Sequence, residues 1–253
     1  MKTLIVLLGL SFSSVYADTH PFTVLSTISP PFKYLDESNQ PAGIHVDIWK
    51  LMFAELDIEY RFAFDNSSSA RVKEQIEHGF AEMHFSLSKK PDRMKKYIFP
   101  EESYLSHTYS FFIRIADQGK ITYRKLDDLK GLRVGATQSY SYSKEFWNAG
   151  LTLDVEVNDN LHILKLLANR IDVVPLKKLN MLYGLKQTGE LDRVYVLPKP
   201  LTSRQYYNVF SRASTQPDKQ FVIDNYDRII RRMKRDGTIA KIFEKYFGEG
   251  ITE

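Results

Sequence analysis

The stretch of this 253-residue chain best suited to hold a charged partner is Ser86 to Tyr104, SLSKKPDRMKKYIFPEESY. A short apolar run (Met83, Phe85, Leu87) leads into a polar turn, where Pro91 rules out an uninterrupted helix. Ser86 and Ser88 fall where a strand would end, offering hydroxyls and neighbouring backbone N–H groups, and Arg93 falls where a short helical turn would begin. A planar guanidinium beside such donors suits a carboxylate, because its fork makes two parallel charge-assisted bonds. On spacing alone the commoner reading is a solvated surface charge, like the neighbouring Lys89, Lys90, Lys95 and Lys96.

Other chemistries find less support. The chain has no cysteine, which removes disulfides, thiolate metal sites and a cysteine nucleophile. Its six histidines (20, 45, 78, 84, 107 and 162) form no HExxH and no tight pair, so neither a metal nor any other cofactor is expected. The formal charge of +4 is mild, and the basic run Arg228 to Arg235 reads as one helix face rather than a nucleic-acid patch. Apolar residues at 43% and charged residues at 26% describe an ordinary globular protein, long enough for one large domain or two lobes.

The N-terminus reads as an export signal. Lys2 gives a positive start, Leu4 to Phe12 is an apolar core, and Val15 and Ala17 supply small residues for cleavage after Ala17. Residues 1–17 are too few to span a bilayer core of about 30 Å as a helix, so a secreted, periplasmic location is expected.

The elements that would position the Arg93 segment follow in order. Phe22–Ser26 is a first strand, Pro30-Pro31 an extended loop, and Gly43 to about Leu56 a helix that Asp47 could cap. Ile58–Phe64, Ala70–His78 and Glu82–Leu87 continue as strand, helix and strand. This β-α-β-α-β order predicts an α/β fold with a mostly parallel sheet and a ligand crevice at the carboxyl ends of its strands. Tyr109–Ile115 fits a crossing strand, Leu126–Gly131 a short helix, and Arg133–Ala136 a strand leading into the polar segment Thr137–Tyr142. There, hydroxyls and free helix N–H groups could meet an anionic group. Leu153–Val157 and Arg170–Leu176 read as strands flanking a helix over 160–169, with Leu161, Leu164, Lys165 and Ala168 on one stripe. Val194–Leu197 and Tyr206–Phe210 are two more strands. Pro217–Arg235 is a helix with Phe221, Asn225, Ile229 and Met233 spaced by four, and Ile239–Phe247 a last helix.

Several of these stretches together resemble the bacterial periplasmic solute-binding proteins of family 3, the amino-acid-binding type. The T-x-E-R…F-S-x-P-Y segment is kept at Ser88, Arg93, Phe99 and Tyr104, with Glu101-Glu102 interrupting it. P-P-F-x-Y…G-x-x-x-D-I-W is matched by Pro30, Pro31, Phe32, Tyr34, Gly43, Asp47, Ile48 and Trp49. D-L-K-G-x-x-V-G at 128–135 and M-K-x-D-G-T-I-A-K-I-x-x-K-Y-F-G at 233–248 extend the likeness across the chain.

The resemblance implies a two-lobed, type II Venus-flytrap architecture with two crossing strands. Lobe one would be 18–112 plus 207–253, and lobe two 113–206. It implies a non-enzymatic, monomeric protein that takes a small carboxylate-bearing solute, an amino acid or related acid, into its cleft and presents it to the permease of an ABC transporter. Arg93, with Ser86, Ser88 and Ser141, would hold the carboxylate, and Phe32 and Tyr34 would pack on the solute. Tyr140 stands where the family usually has a smaller residue. Lys177 stands, by register, where the family's ammonium-binding aspartate belongs, which favours a dicarboxylate or keto acid over a simple amino acid. Two alternatives stay open. One is a dehydratase-like enzyme with Glu101, Glu102 or His84 as general acid; the other is a sensor that docks on a membrane receptor.

Overall fold

The computed structural model describes residues 20–66, 68–138, 140, 142–157 and 159–248. The proposed leader and Ser141 lie outside the described residues. Lobe one starts with β1 (Phe22–Ser26), a small hairpin of β2 (Tyr34–Leu35) and β3 (Pro41–Ala42), and α1 (Ile44–Leu56). It continues with β4 (Tyr60–Phe64), α2 (Ser69–Glu77), β5 (Met83–Ser88), the four-residue helix α3 (Pro91–Met94) and β6 (Tyr97–Ile98). The long strand β7 (Leu105–Arg114) then leaves toward β8 (Arg133–Thr137), α4 (Lys144–Trp147), β9 (Thr152–Glu156) and α5 (Asp159–Leu167). After β10 (Val174–Lys177), α6 (Lys178–Thr188) and β11 (Val194–Val196), a second long strand β12 (Thr202–Ser211) returns to α7 (Lys219–Arg235) and α8 (Thr238–Phe247).

β7 and β12 are the crossing strands. They pair antiparallel from Leu105–Tyr109 to Thr202–Tyr206. The far half of β7 then pairs with β10 and β11, and the far half of β12 with β5 and β6. The strand order β10-β7-β12-β5-β1-β4 is therefore one sheet that passes from lobe to lobe. β1 runs parallel to β4 and β5, as β-α-β units require. β8 pairs parallel with β9 and joins β10 through the Gly135 N–H, which donates to Val173 O at 2.8 Å.

Each lobe has its own core. Trp49, Phe53, Phe85, Phe210 and Tyr226 fill the first, with Trp49 and Tyr226 stacked at 5.6 Å. Phe111, Ile113, Val134, Phe146 and Val173 fill the second. The helix faces differ from a simple spacing of four. On α7 the buried residues are Val222, Tyr226, Ile229, Ile230 and Met233, while Phe221 is 50% exposed. On α5 the buried residues are His162, Ile163 and Leu166, and Leu164 of the expected stripe is 64% exposed. On α5 apolar residues lie on more than one face, so periodicity left the buried side undecided, whereas on α7 a strict spacing of four drifts off the one apolar stripe that spacings of three and four mark out.

Asp47 does not cap α1. The N-cap is Gly43, and Asp47 lies inside the first turn, where Lys245 Nζ (2.7 Å) and Tyr246 OH (2.9 Å) donate to its carboxylate. Gly43 has φ 120, and a Cβ there would lie 2.5 Å from the Phe32 carbonyl oxygen. That oxygen also accepts the His45 N–H at 2.8 Å, so the glycine lets the Pro-Pro-Phe loop close onto the start of α1. Gly43→Ala is expected to cost roughly 2–5 kcal/mol, combining backbone strain with overpacking. Urea denaturation checks this, and a loss below about 1 kcal/mol would show that the loop relaxes freely.

Candidate functional site

β5 delivers the polar groups. Its apolar Met83, Phe85 and Leu87 are buried in lobe one, which leaves His84, Ser86 and Ser88 to face a cavity of about 210 Å³. The strand is not regular there. Leu87 pairs with Tyr207 and His84 with Val209, so two β5 residues oppose the single Asn208. Ser86 is the second of the two and has φ 68, a left-handed conformation that costs a non-glycine residue energy. The bulge turns its hydroxyl to within 3.2 Å of His107 Nε2 on β7. Bulges and strained residues of this kind concentrate where a side chain must be re-aimed.

Arg93 sits on α3, just past this strand end. Its Nη1 donates to Ser88 O (2.9 Å) and Ser88 Oγ (2.5 Å), which fixes one arm of the guanidinium at the cavity wall. Phe32, 2% exposed, forms another wall and packs against His45 (5.7 Å) and His107 (5.9 Å). Lys177 ends β10 and reaches the same cavity from the opposite lobe, its ammonium 4.8 Å from the centre of the Tyr140 ring. Arg93, Ser86, Ser88, Phe32 and Lys177 therefore converge.

Tyr34 and Tyr140 do not line the cavity. Tyr34 lies in the β2–β3 hairpin, where burial and the neighbouring Tyr183 push its hydroxyl up to about 12. Tyr140 stands one layer behind the wall: its OH donates to Asp159 at 2.5 Å and its ring meets Tyr109 at 5.4 Å. Ser141 cannot be placed, since it falls outside the described residues. Glu101 and Glu102, the acid candidates of an enzyme, face Arg231 and Lys234 on the surface instead. His84 does face the cavity, but burial and the Lys33 charge lower it to about 3, so its ring is neutral at neutral pH and is no general acid there.

Several wall residues were not anticipated. Lys33 is 5% exposed, and its ammonium donates to Ser26 Oγ (2.6 Å) and Phe85 O (3.2 Å). Burial, reinforced by the Lys177 charge, lowers it from 10.5 to about 7. His45 stacks on Phe85 at 4.8 Å, its Nδ1 lies 2.7 Å from Tyr104 OH, and its Nε2 has no partner. His107 is lowered to about 3 by burial, then by Lys177 and Lys33. With Lys73 on α2, the wall carries four basic side chains, and among the described residues no aspartate or glutamate lines it. A wider groove of about 770 Å³ between α5 and α6 shares no residue with this cavity and is mostly apolar.

Comparison with known proteins fits this geometry. The chain is 23% identical over 255 residues to ABC transporter arginine-binding protein 1 of Escherichia coli K12, covering 98% of this chain and 99% of that one. The second substrate-binding domain of Lactococcus lactis GlnP, in an open conformation, superposes with a TM-score of 0.72 at 18% identity, covering 92% of this chain and 99% of that domain. The GluR0 ligand-binding core in complex with L-glutamate gives a TM-score of 0.71 at 18% identity, covering 91% and 100%. With residues 23–249 matching the family as a whole, the chain belongs to the bacterial extracellular solute-binding proteins, family 3.

Proposed function

We propose that this protein captures a small carboxylate-bearing solute between its two lobes and presents it to the permease of an ABC transporter. The observation that carries the reading is Arg93, anchored by Ser88 at the end of β5, on the wall of a small polar cavity to which both lobes contribute. A fixed guanidinium with its other arm available is a carboxylate clamp. The relatives support the class of solute, since those compared are named for arginine and L-glutamate.

Lobe one is taken as 18–112 plus 207–253 and lobe two as 113–206, with the leader cleaved after Ala17 and the exported protein acting as a monomer in the periplasm. The family is extracellular by description, and among the described residues no helix is long and apolar enough to cross a membrane. Binding works by population shift, because a solute touching both lobes favours the closed form by its differential affinity for closed over open. Closure contacts are in place: Asn180 Nδ2 on α6 donates to Pro30 O (2.6 Å) and Ser29 Oγ (3.2 Å), and Lys186 Nζ donates to Phe247 O (3.1 Å).

The test combines native mass spectrometry of the purified protein, to identify a co-purified solute, with small-angle scattering on emptied and reloaded protein. The expected results are a carboxylate-bearing compound and a smaller radius of gyration on loading. A solute without a carboxylate, or equal radii, would overturn the respective half of the proposal.

A further inference from the structure

We propose that the cavity is selective for a small dicarboxylate with no amino group, one carboxylate held by Arg93 and the other by Lys33 and Lys177. The inference deepens the reading above and rests on Arg93 as the first carboxylate's partner.

The central observation is Lys33. Its ammonium is buried on neutral acceptors, Ser26 Oγ and the Phe85 carbonyl, and among the described residues no carboxylate is its partner. A buried cation is ordinarily paired, because lost hydration is otherwise uncompensated. The loss is visible in its lowered proton affinity, to which the second cation, Lys177, contributes. The cations of this cavity thus face no acidic side chain among the described lining residues.

Lys177 points the same way. Desolvation lowers it, and the carboxylate acting on it, Asp159, is engaged by Thr137 Oγ1 (2.7 Å) and Tyr140 OH (2.5 Å). The three wall histidines add no charge: burial lowers His84 and His107 to about 3 and holds His45 well below its usual range. They remain as neutral hydrogen-bonding groups, with the unpartnered His45 Nε2 among them.

An α-amino acid fits this wall poorly. Its carboxylate would find Arg93, but its ammonium would meet Lys33, Lys177 and Lys73 with no acid among the described wall residues to receive it. Like charges brought together away from bulk water repel strongly. A second carboxylate replaces that repulsion with attraction. The cations also come from both lobes, Arg93 and Lys33 from one and Lys177 from the other, so a ligand anionic at both ends bridges them. The volume of about 210 Å³ lies below the roughly 300–1,000 Å³ of drug-sized sites and suits a short carbon chain.

The experiment is calorimetric titration of the whole exported protein, stripped of solute, with succinate and glutarate against L-aspartate and L-glutamate, which keep the same skeletons and add an ammonium. Inorganic sulfate serves as a plain dianion. At least one dicarboxylate is expected to bind thirty-fold or more tighter than its amino counterpart and than sulfate. Lys177→Gln and Lys33→Met are each expected to weaken it at least ten-fold, with thermal melts confirming folded protein; Lys177 ends a strand, so its variant stands if Lys33→Met fails to fold. Equal or tighter binding of the amino acids or sulfate, no binding of either dicarboxylate, or unchanged affinity in Lys177→Gln would overturn the inference. Arg93-dependent binding of a neutral or basic amino acid would overturn it while leaving the carboxylate reading intact. A protein that binds no carboxylate at all would overturn both.

Discussion

Arg93→Ala is expected to abolish tight solute binding and to leave the fold nearly unchanged. In the proposed site the guanidinium is the charged partner of the ligand's carboxylate, on the wall of the polar cavity. Truncating one member of such a pair costs about 2–5 kcal/mol, which is roughly thirty-fold to several-thousand-fold in affinity. Much of that cost is the penalty of leaving the carboxylate unpaired. Stability is affected little, because α3 buries no residue and, among the described residues, the Arg93 side chain hydrogen-bonds only Ser88. Calorimetry with the solute and urea denaturation of both proteins separate the two effects. Wild-type affinity in the variant would remove Arg93 from the site, and a large loss of stability would make it a structural residue.

The first lobe was readable because each of its elements combines a pattern with a stop signal. Phe22–Ser26 is predicted and found with the same ends, α1 ends at Leu56 as expected, and β5 carries its polar residues on the cavity side. The crossing strands are found where expected and are longer, since Leu105–Thr108 and Thr202–Gln205, outside the expected runs, pair with each other although far apart in sequence. By contrast, α6 directly follows β10 without a turn, and its mixture of lysines and leucines shows little periodicity, so nothing in the sequence announces it. The face of α5 was misjudged because tertiary packing selected among several apolar positions, and that of α7 because a spacing of four drifts off its single apolar stripe.

The site was half legible for a related reason. Arg93, Ser86 and Ser88 stand out as polar groups at a strand end, and Lys177 as a basic residue where an acid was expected. Lys33 gives no such signal, because lysine is the residue type least expected to be buried. The Pro-Pro-Phe loop turns it inward, through the Ser29 carbonyl accepting the N–H groups of Phe32 (3.0 Å) and Lys33 (3.1 Å). His107 and Tyr206 reach the wall only because β7 and β12 pair close beside it, an arrangement that depends on contacts about one hundred residues apart. His84, singled out only as a possible general acid, alternates with Ser86 and Ser88 in the sequence and could equally have been read as part of the wall.

The buried amine makes stability depend on pH in a direction that can be worked out. Lys33 has its proton affinity lowered from 10.5 to about 7 by burial and then by Lys177. Between these values the unfolded chain holds the proton and the folded protein sheds it. The unfolded state therefore binds more protons, and stability rises with pH across this window. Conversely, the contribution is complete above pH 10.5 and is lost as pH falls toward 7. At about 1.4 kcal/mol for each pH unit the full span is worth at most about 5 kcal/mol, and roughly 2–3 kcal/mol between pH 6 and 9. Other groups at the wall titrate too. Lys177, also lowered, adds in the same direction, and His45, His84 and His107 withdraw stability as pH falls through 6.5, where they charge in the unfolded chain. These remain in Lys33→Met, so the difference between wild type and variant isolates the amine. Without ligand, Lys33→Met is expected to be the more stable protein at pH 6–7, with the advantage shrinking toward pH 9. Urea denaturation at pH 6, 7, 8 and 9 measures it. Parallel pH profiles for the two proteins would mean that the Lys33 ammonium is well solvated or already paired, which removes its need for an anionic partner.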